Sequence, residues 1–345
     1  MIPVGNDIYY RSRQHIGIPK NQSLLLTDAA GLHPALTGFK TLYDEGSLGI
    51  LNGVGYPNPD RSHFRSMDIW QTASDSSSYL TTGWIGRYLD ACCQGTHRAA
   101  RALELDDILS LALKGEREKA IAFKSPERLY NTSNEAYFRD LSKMHPEGDP
   151  EHQPVDYLYK TMAETLSSAG YIYTQGKLRP SSGIYPPTEL GNDLKTIASL
   201  IFSDIDTRIY YLSLGSFDTH VNQLATQDRL FKEMDAAVTA FVKDLKSNGR
   251  FEEVLLFTFS EFGRRVAQNA SGGTDHGTAN NMFLISGGLQ QKGLINPLAD
   301  LENLTAGDLN YSIDFKNVYA TVLHKWLGAD ELPVMGKKYD LLGFV

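Results

Sequence analysis

The sequence predicts an α/β protein with a doubly wound, mostly parallel sheet and a mainly helical insertion. Three observations predict it. Short apolar runs such as Leu48-Gly49-Ile50-Leu51, Leu255-Leu256-Phe257 and Met282-Phe283-Leu284-Ile285 have the length and continuity of strands buried on both faces. Between them lie stretches whose apolar residues recur at helical spacing. From 91 to 190 the strand signals fade while charge, tyrosine and proline rise. Residues 1–90 and 191–345 are therefore assigned to the α/β core, and 91–190 to a helical insertion or cap within the same domain.

In chain order, Leu36, Phe39, Leu42 and Tyr43 predict a helix that Gly46 ends. The strand from Leu48 leads into the glycine- and proline-containing turn 53–60. Phe64, Met67 and Trp70 then predict a helix starting near Ser62. In the insertion, Val155, Leu158, Met162 and Leu166 form one packing stripe, and His97, His145 and His152 read as surface histidines because they lack ligand spacing. The core pattern resumes with a helix over 193–202 and a strand over 208–214. The strongest amphipathic helix follows, with Leu230, Phe231, Met234, Val238, Phe241, Val242 and Leu245 on its apolar face. It leads into the 254–259 run, which predicts a βαβ unit with a right-handed crossover. A last helix opens at Asp314 as N-cap and closes at Gly328.

Composition narrows the function. In 345 residues, 41% hydrophobic and 21% charged is a globular balance, and no apolar run approaches a membrane span. A net charge of −8 argues against nucleic acid as a partner, since its phosphates need a basic face. The two cysteines, Cys92 and Cys93, are adjacent and supply no disulfide framework. The first residues carry no signal-peptide pattern.

Three junctions carry chemistry. Ser62 sits where a strand, a turn and a helix N-terminus meet, a place that suits either a nucleophile or an ordinary N-cap serine. Asp218 and His220, two apart in extended chain, point the same way and could share one metal ion, although that spacing also arises by chance. Ser260-Glu261-Phe262-Gly263-Arg264-Arg265 and Gly273-Thr274-Asp275-His276-Gly277 crowd acids, a histidine and paired arginines between two strands. They form a site or a solvated ion-pair network. Carboxylate with imidazole and no thiolate suits Zn, Mn or Mg, and Arg264 or Arg265 could grip a phosphate or sulfate in bidentate fashion. The phosphate-binding P-loop, the dinucleotide glycine fingerprint and the Gly-x-Ser-x-Gly elbow do not occur.

The chain also resembles a known family. Gly31-Leu32-His33-Pro34-Ala35-Leu36, the 53–59 turn, Arg61-Ser62-His63-Phe64-Arg65-Ser66-Met67-Asp68, Gly215-Ser216-Phe217-Asp218-Thr219-His220 and the two segments just quoted follow the order of a bacterial domain-of-unknown-function family. That family is usually exported with twin-arginine leaders and is distantly similar to the alkaline phosphatase and sulfatase superfamily. The resemblance implies an alkaline-phosphatase-like sheet and Ser62 as nucleophile. It implies Asp218, His220, Glu261 and His276 as metal ligands, with Asp275 a ligand or an orienting group for His276. It also implies a periplasmic or extracellular location, and a first strand with a metal-binding acid before Met1. Glu261-Phe262 stands where the superfamily has an Asp-His pair, which removes one ligand.

Two functions of different classes follow. One is a metal-dependent hydrolase of small anionic phosphate or sulfate esters, with Ser62 attacking and Arg264 or Arg265 steadying the transition state. The other is a non-catalytic exported binding protein on the same fold.

Overall fold

The computed structural model describes residues 1–92, 99–141 and 153–345. Cys93, His97, His145 and His152 lie outside them. The chain separates into two compact units, one of residues 1–80 and 214–345, the other of 81–213. Among the described residues it forms a mixed α/β structure with several sheets and 11 α-helices. None of those helices is long and apolar enough to cross a membrane.

The strands are β1 (Leu24–Leu25), β2 (Gly31–Leu32), β3 (Leu48–Gly55), β4 (Ala102–Glu104), β5 (Ile121–Ala122) and β6 (Ile209–Tyr211). They continue with β7 (Leu256–Phe257), β8 (Asn280–Ile285), β9 (Gly293–Leu294), β10 (Leu304–Thr305), β11 (Asp308–Leu309) and β12 (Ile313–Asp314). The helices begin with α1 (Asp7–Ser12), α2 (Thr37–Asp44), α3 (His63–Thr72), α4 (Trp84–Cys92), α5 (Pro126–Ser133) and α6 (Ala136–Leu141). They end with α7 (Gln153–Leu178), α8 (Glu189–Phe202), α9 (Gln223–Ser247), α10 (Phe315–Thr321) and α11 (Leu332–Met335).

In the unit of 1–80 and 214–345, β3 is the centre: all eight of its residues are buried. It pairs in parallel with β9 and β12 and antiparallel with β8, which pairs antiparallel with β7. Helices cover both faces, as side-chain alternation requires. Phe283 of β8 meets Phe39 of α2 with ring centroids 5.2 Å apart. Phe257, opposite Leu284 in the register, turns to the other face and meets Tyr319 of α10. There Trp70 of α3 stacks on Phe315 at 4.2 Å and on Phe259 at 5.7 Å. Asp235 of α9 caps α2 from outside, its carboxylate accepting from the Gly38 and Phe39 amides at 2.9 Å each.

The unit of 81–213 has its own sheet, in which β4 pairs in parallel with both β5 and β6. Helix α7 runs through it, with Tyr173 stacked on Tyr130 of α5 at 4.3 Å.

Two expectations change. The sheet of the first unit is mixed rather than mostly parallel, because a continuous apolar run does not encode strand direction. The predicted βαβ unit is not formed: β6 and β7 flank α9 in sequence but pair in different sheets.

Candidate metal centre

The antiparallel pairing decides where the motifs go. Val54 near the end of β3 faces Asn280 at the start of β8, so the chain leaving β3 and the chain entering β8 share one edge. The first runs to Ser62, and the second arrives from His276. Because β7 is also antiparallel to β8, the 258–279 loop leaves and returns at that same edge. Its arms zip together: Arg264 and His276 are bridge partners, the Arg265 amide donates to the Asp275 carbonyl at 3.0 Å, and the Gly277 amide donates to the Gly263 carbonyl at 2.8 Å. A Cβ on Gly263 would lie 1.7 Å from the Ala279 carbonyl oxygen, so only glycine allows this approach.

A buried polar network brings in the 217–220 segment. The Thr219 and Thr274 hydroxyls donate to the Gln223 side-chain oxygen at 3.3 and 2.7 Å, and the Gln227 amide donates to the Thr219 hydroxyl at 3.1 Å. The Asn269 amide holds the His220 carbonyl at 2.8 Å. A Cβ on Gly273 would sit 2.3 Å from the His220 carbonyl carbon, so this contact too requires glycine.

The result is a cluster of Asp218, His220 and His276, whose ligand atoms all lie within 4.8 Å of one another. Asp218 Oδ1 is 2.8 Å from His276 Nε2, 3.1 Å from His220 Nδ1 and 2.8 Å from Arg264 Nη2. Two donors about 2.0–2.1 Å from a tetrahedral zinc stand about 3.3 Å apart, so the two histidine contacts need to open only slightly to accept a metal. Desolvation pushes the Asp218 carboxyl up, but its hydrogen bonds to His276 and Arg264 outweigh that and hold it below the usual carboxylate value. It is therefore ionised at neutral pH.

His276 carries the sharper chemical signal. Its Nδ1 lies 3.0 Å from the Arg61 carbonyl oxygen and its Nε2 lies 2.8 Å from Asp218 Oδ1. Both neighbours only accept hydrogen bonds, whereas a neutral imidazole has one proton to give. If Nδ1–H goes to Arg61, Nε2 presents its lone pair to a carboxylate, a clash that either a second proton or a cation removes. A ring with one N–H on a backbone carbonyl and the other nitrogen beside a carboxylate has the usual surroundings of a metal-binding histidine. Phe262 fixes the ring plane by stacking on it at 3.8 Å.

The remaining expected residues take other positions. Ser62 is the exposed N-cap of α3 and its hydroxyl does not cap the helix; its amide donates to Asp60 Oδ1 at 2.7 Å. It directly follows Arg61, whose carbonyl touches His276. Glu261 lies outside the three-residue cluster and meets His63 Nδ1 at 2.6 Å. Asp275 accepts from the Asn269 amide at 3.3 Å. The guanidinium of Arg264 donates to the carbonyls of Thr274 and Phe217 as well as to Asp218, tying three segments together. Arg265 turns away to the buried Asp308 and to the Ala306 carbonyl, and Arg61 grips the same Asp308. Gln223, Asn269 and Asp308 carry no sequence signal, because single amides and acids outside any motif look like surface residues until the fold brings them to their partners.

The chain matches the family described as Protein of unknown function (DUF1501) over residues 52–335. The match takes in the second half of β3, Ser62 and all three members of the cluster. No curated protein and no solved structure matches the chain.

Proposed function

The chain belongs to the DUF1501 family, whose function is unknown, so activity has to be argued from the site; we propose that it is a metal-dependent hydrolase of small phosphate or sulfate esters. The observation that carries the proposal is the His276 ring, placed between a backbone carbonyl and a carboxylate that the single N–H of a neutral imidazole cannot both satisfy. A divalent zinc, manganese or magnesium ion held by Asp218, His220 and His276 would supply Lewis-acid polarisation of a phosphoryl or sulfuryl oxygen.

The chain's own residues do the rest. Together with His276, Arg264 holds the Asp218 carboxyl below its usual value, and it fixes the Asp218 loop against the 274 arm. His276 ties the cluster to the Arg61 carbonyl, so Ser62 lies one peptide bond from it, with a hydroxyl not engaged in capping α3. Ser62 is assigned as the nucleophile. Glu261 and Asp275, occupied by His63 and Asn269, stand outside the donor set of this reading. The reading includes the distant relationship to the alkaline phosphatase and sulfatase superfamily, its doubly wound layout and an exported location, all of which rest on the motif resemblance.

The test pairs metal analysis with turnover of aryl phosphates and aryl sulfates. Wild type is expected to take up near-stoichiometric zinc or manganese and to hydrolyse one ester class. Ser62→Ala is expected to keep the metal and lose at least about 100-fold in kcat. Full activity in Ser62→Ala would remove the nucleophile. Metal uptake without turnover of any ester would favour the non-catalytic binding protein.

A further inference from the structure

Next to the assigned nucleophile stands a histidine–carboxylate pair that the metal cluster does not use. His63 Nδ1 is 2.6 Å from Glu261 Oε1, and Glu261 is largely buried while the imidazole is half exposed. A carboxylate only accepts, so the nitrogen facing it, Nδ1, carries a proton, which leaves Nε2 as the ring atom available for proton exchange.

The pair is built rather than incidental. The Asp60 amide donates to the Tyr56 hydroxyl at 3.1 Å, Tyr56 and Ser66 share a hydrogen bond of 2.8 Å, and the Ser66 hydroxyl donates to the Glu261 carbonyl. Tyr56 and Ser66 are fully buried. This chain of hydroxyls fixes the backbone of Glu261 to the first turn of α3, where His63 sits, and Asp60 also holds the Ser62 amide. The Phe262 ring meets His63 edge-on at 6.1 Å and stacks on His276 at 3.8 Å, so the two imidazoles are within about 10 Å of each other.

We propose that His63, oriented by Glu261, is the proton-transfer residue for cleavage of the ester by Ser62. The proposal rests on the reading of Ser62 as nucleophile. As Ser62 Oγ bonds to phosphorus (or sulfur), its proton passes to His63 Nε2, directly or through one water. The same proton passes to the departing ester oxygen as the bond from that oxygen to phosphorus breaks. In the second half, water gives a proton to Nε2 while its oxygen bonds to phosphorus. The bond from phosphorus to Ser62 then breaks and the proton returns to Ser62 Oγ. One water is consumed, one alcohol and one inorganic anion leave, and no oxidant or reductant is needed. Glu261 is a positioning residue: it sets the tautomer and steadies the ring while it holds the extra proton.

The test is a leaving-group series on the metal-loaded protein with p-nitrophenyl, phenyl and alkyl phosphates, plus nitrogen-detected NMR of the histidines in metal-free protein. His63→Ala should slow every ester, because Ser62 and the attacking water both lose their proton acceptor, and should slow alkyl esters by about 100-fold more than p-nitrophenyl esters, because a good leaving group needs no proton. Glu261→Gln should show the same pattern at smaller amplitude and keep the wild-type metal content. By NMR, the His63 proton should reside on Nδ1 in wild type and leave that site in Glu261→Ala. Equal slowing across the series in His63→Ala, or a His63 proton on Nε2 in wild type, overturns the proposal. Loss of metal in Glu261→Gln makes Glu261 a ligand and overturns it as well. A wild type inactive on every ester overturns the hydrolase reading itself, which the NMR result distinguishes from a failure of the pair alone.

Discussion

In the 81–213 unit, Asp90 accepts from the amides of Glu116, Arg117 and Glu118 at 2.7, 3.0 and 2.7 Å, and Glu104 accepts from the Ser110 amide and hydroxyl. In the unit of 1–80 and 214–345, Asp218 faces a guanidinium and two imidazoles through a single oxygen. Both arrangements draw a carboxylate into a dense web of contacts, yet they differ in their protons. The backbone amides around Asp90 each bring a fixed proton, so that carboxylate is matched by donors and its work is to hold a turn. Around Asp218 the number of protons depends on the state of two imidazoles, and one of those rings is already bonded to a carbonyl. The lesson is that a carboxylate rich in hydrogen-bond partners does not by itself mark a site. A mismatch between acceptors and available protons does.

The strongest way to break this comparison is to remove the mismatch. On the metal-centre proposal, His276→Ala deletes one ligand atom and the link to Arg61, and should lower zinc or manganese affinity by about 100-fold or more, measured by calorimetric titration. Asp90→Ala should leave that affinity unchanged. Its own effect belongs to folding: three amides lose a charged acceptor, and stability should fall by about 2–3 kcal/mol in denaturant unfolding. If Asp90→Ala weakened metal binding, or His276→Ala left it intact, the contrast between the two carboxylates would be lost.

A smaller effect sharpens the picture. Gln223 touches none of the ligand atoms, but its side-chain oxygen receives the Thr219 and Thr274 hydroxyls and so joins the two loops that carry the cluster. Gln223→Ala should cost about 10-fold in metal affinity, the effect expected of a group that orients ligands without touching the ion. Gln223→Glu keeps the acceptor and should recover most of the loss.

How much of this is legible in the chain depends on the kind of information. Helix α9 is written in the spacing of Leu230, Val238, Phe241 and Leu245, and α10 in the Asp314 cap, which accepts from the Lys316 amide at 3.0 Å. Strand direction is not written anywhere: 282–285 is apolar throughout because both faces of β8 are covered, and such a run reads the same in either direction. That ambiguity hides how the motif loops meet, since the shared edge of β3, β7 and β8 follows from antiparallel pairing. Asp218, His220, Arg264 and His276 stand in recognisable motifs and lie together. The partners of Glu261 and Arg265 cannot be read, because His63 lies 198 residues away from the first and Asp308 lies beyond the loop of the second.

The smallest expected effect tests the other unit from its own side. Asp193 on α8 lacks the matched donors of Asp90. Desolvation, then the charge of Glu189 one turn earlier, raise its carboxyl to about 6, with Lys124 opposing. A raised carboxyl binds its proton more tightly in the folded state than in the unfolded chain. Stability is therefore greatest below the unfolded value near 3.8 and declines as pH rises through about 6. Asp193→Asn has no proton to lose, so its stability relative to wild type should grow across that window and level off above it. With solvent screening, the gain at pH 8 should be of order 1 kcal/mol, read as a higher midpoint in denaturant unfolding. At pH 4 the two proteins should nearly coincide. A constant difference at both pH values would mean that the substitution acts through packing, and that Asp193 is as well matched as Asp90.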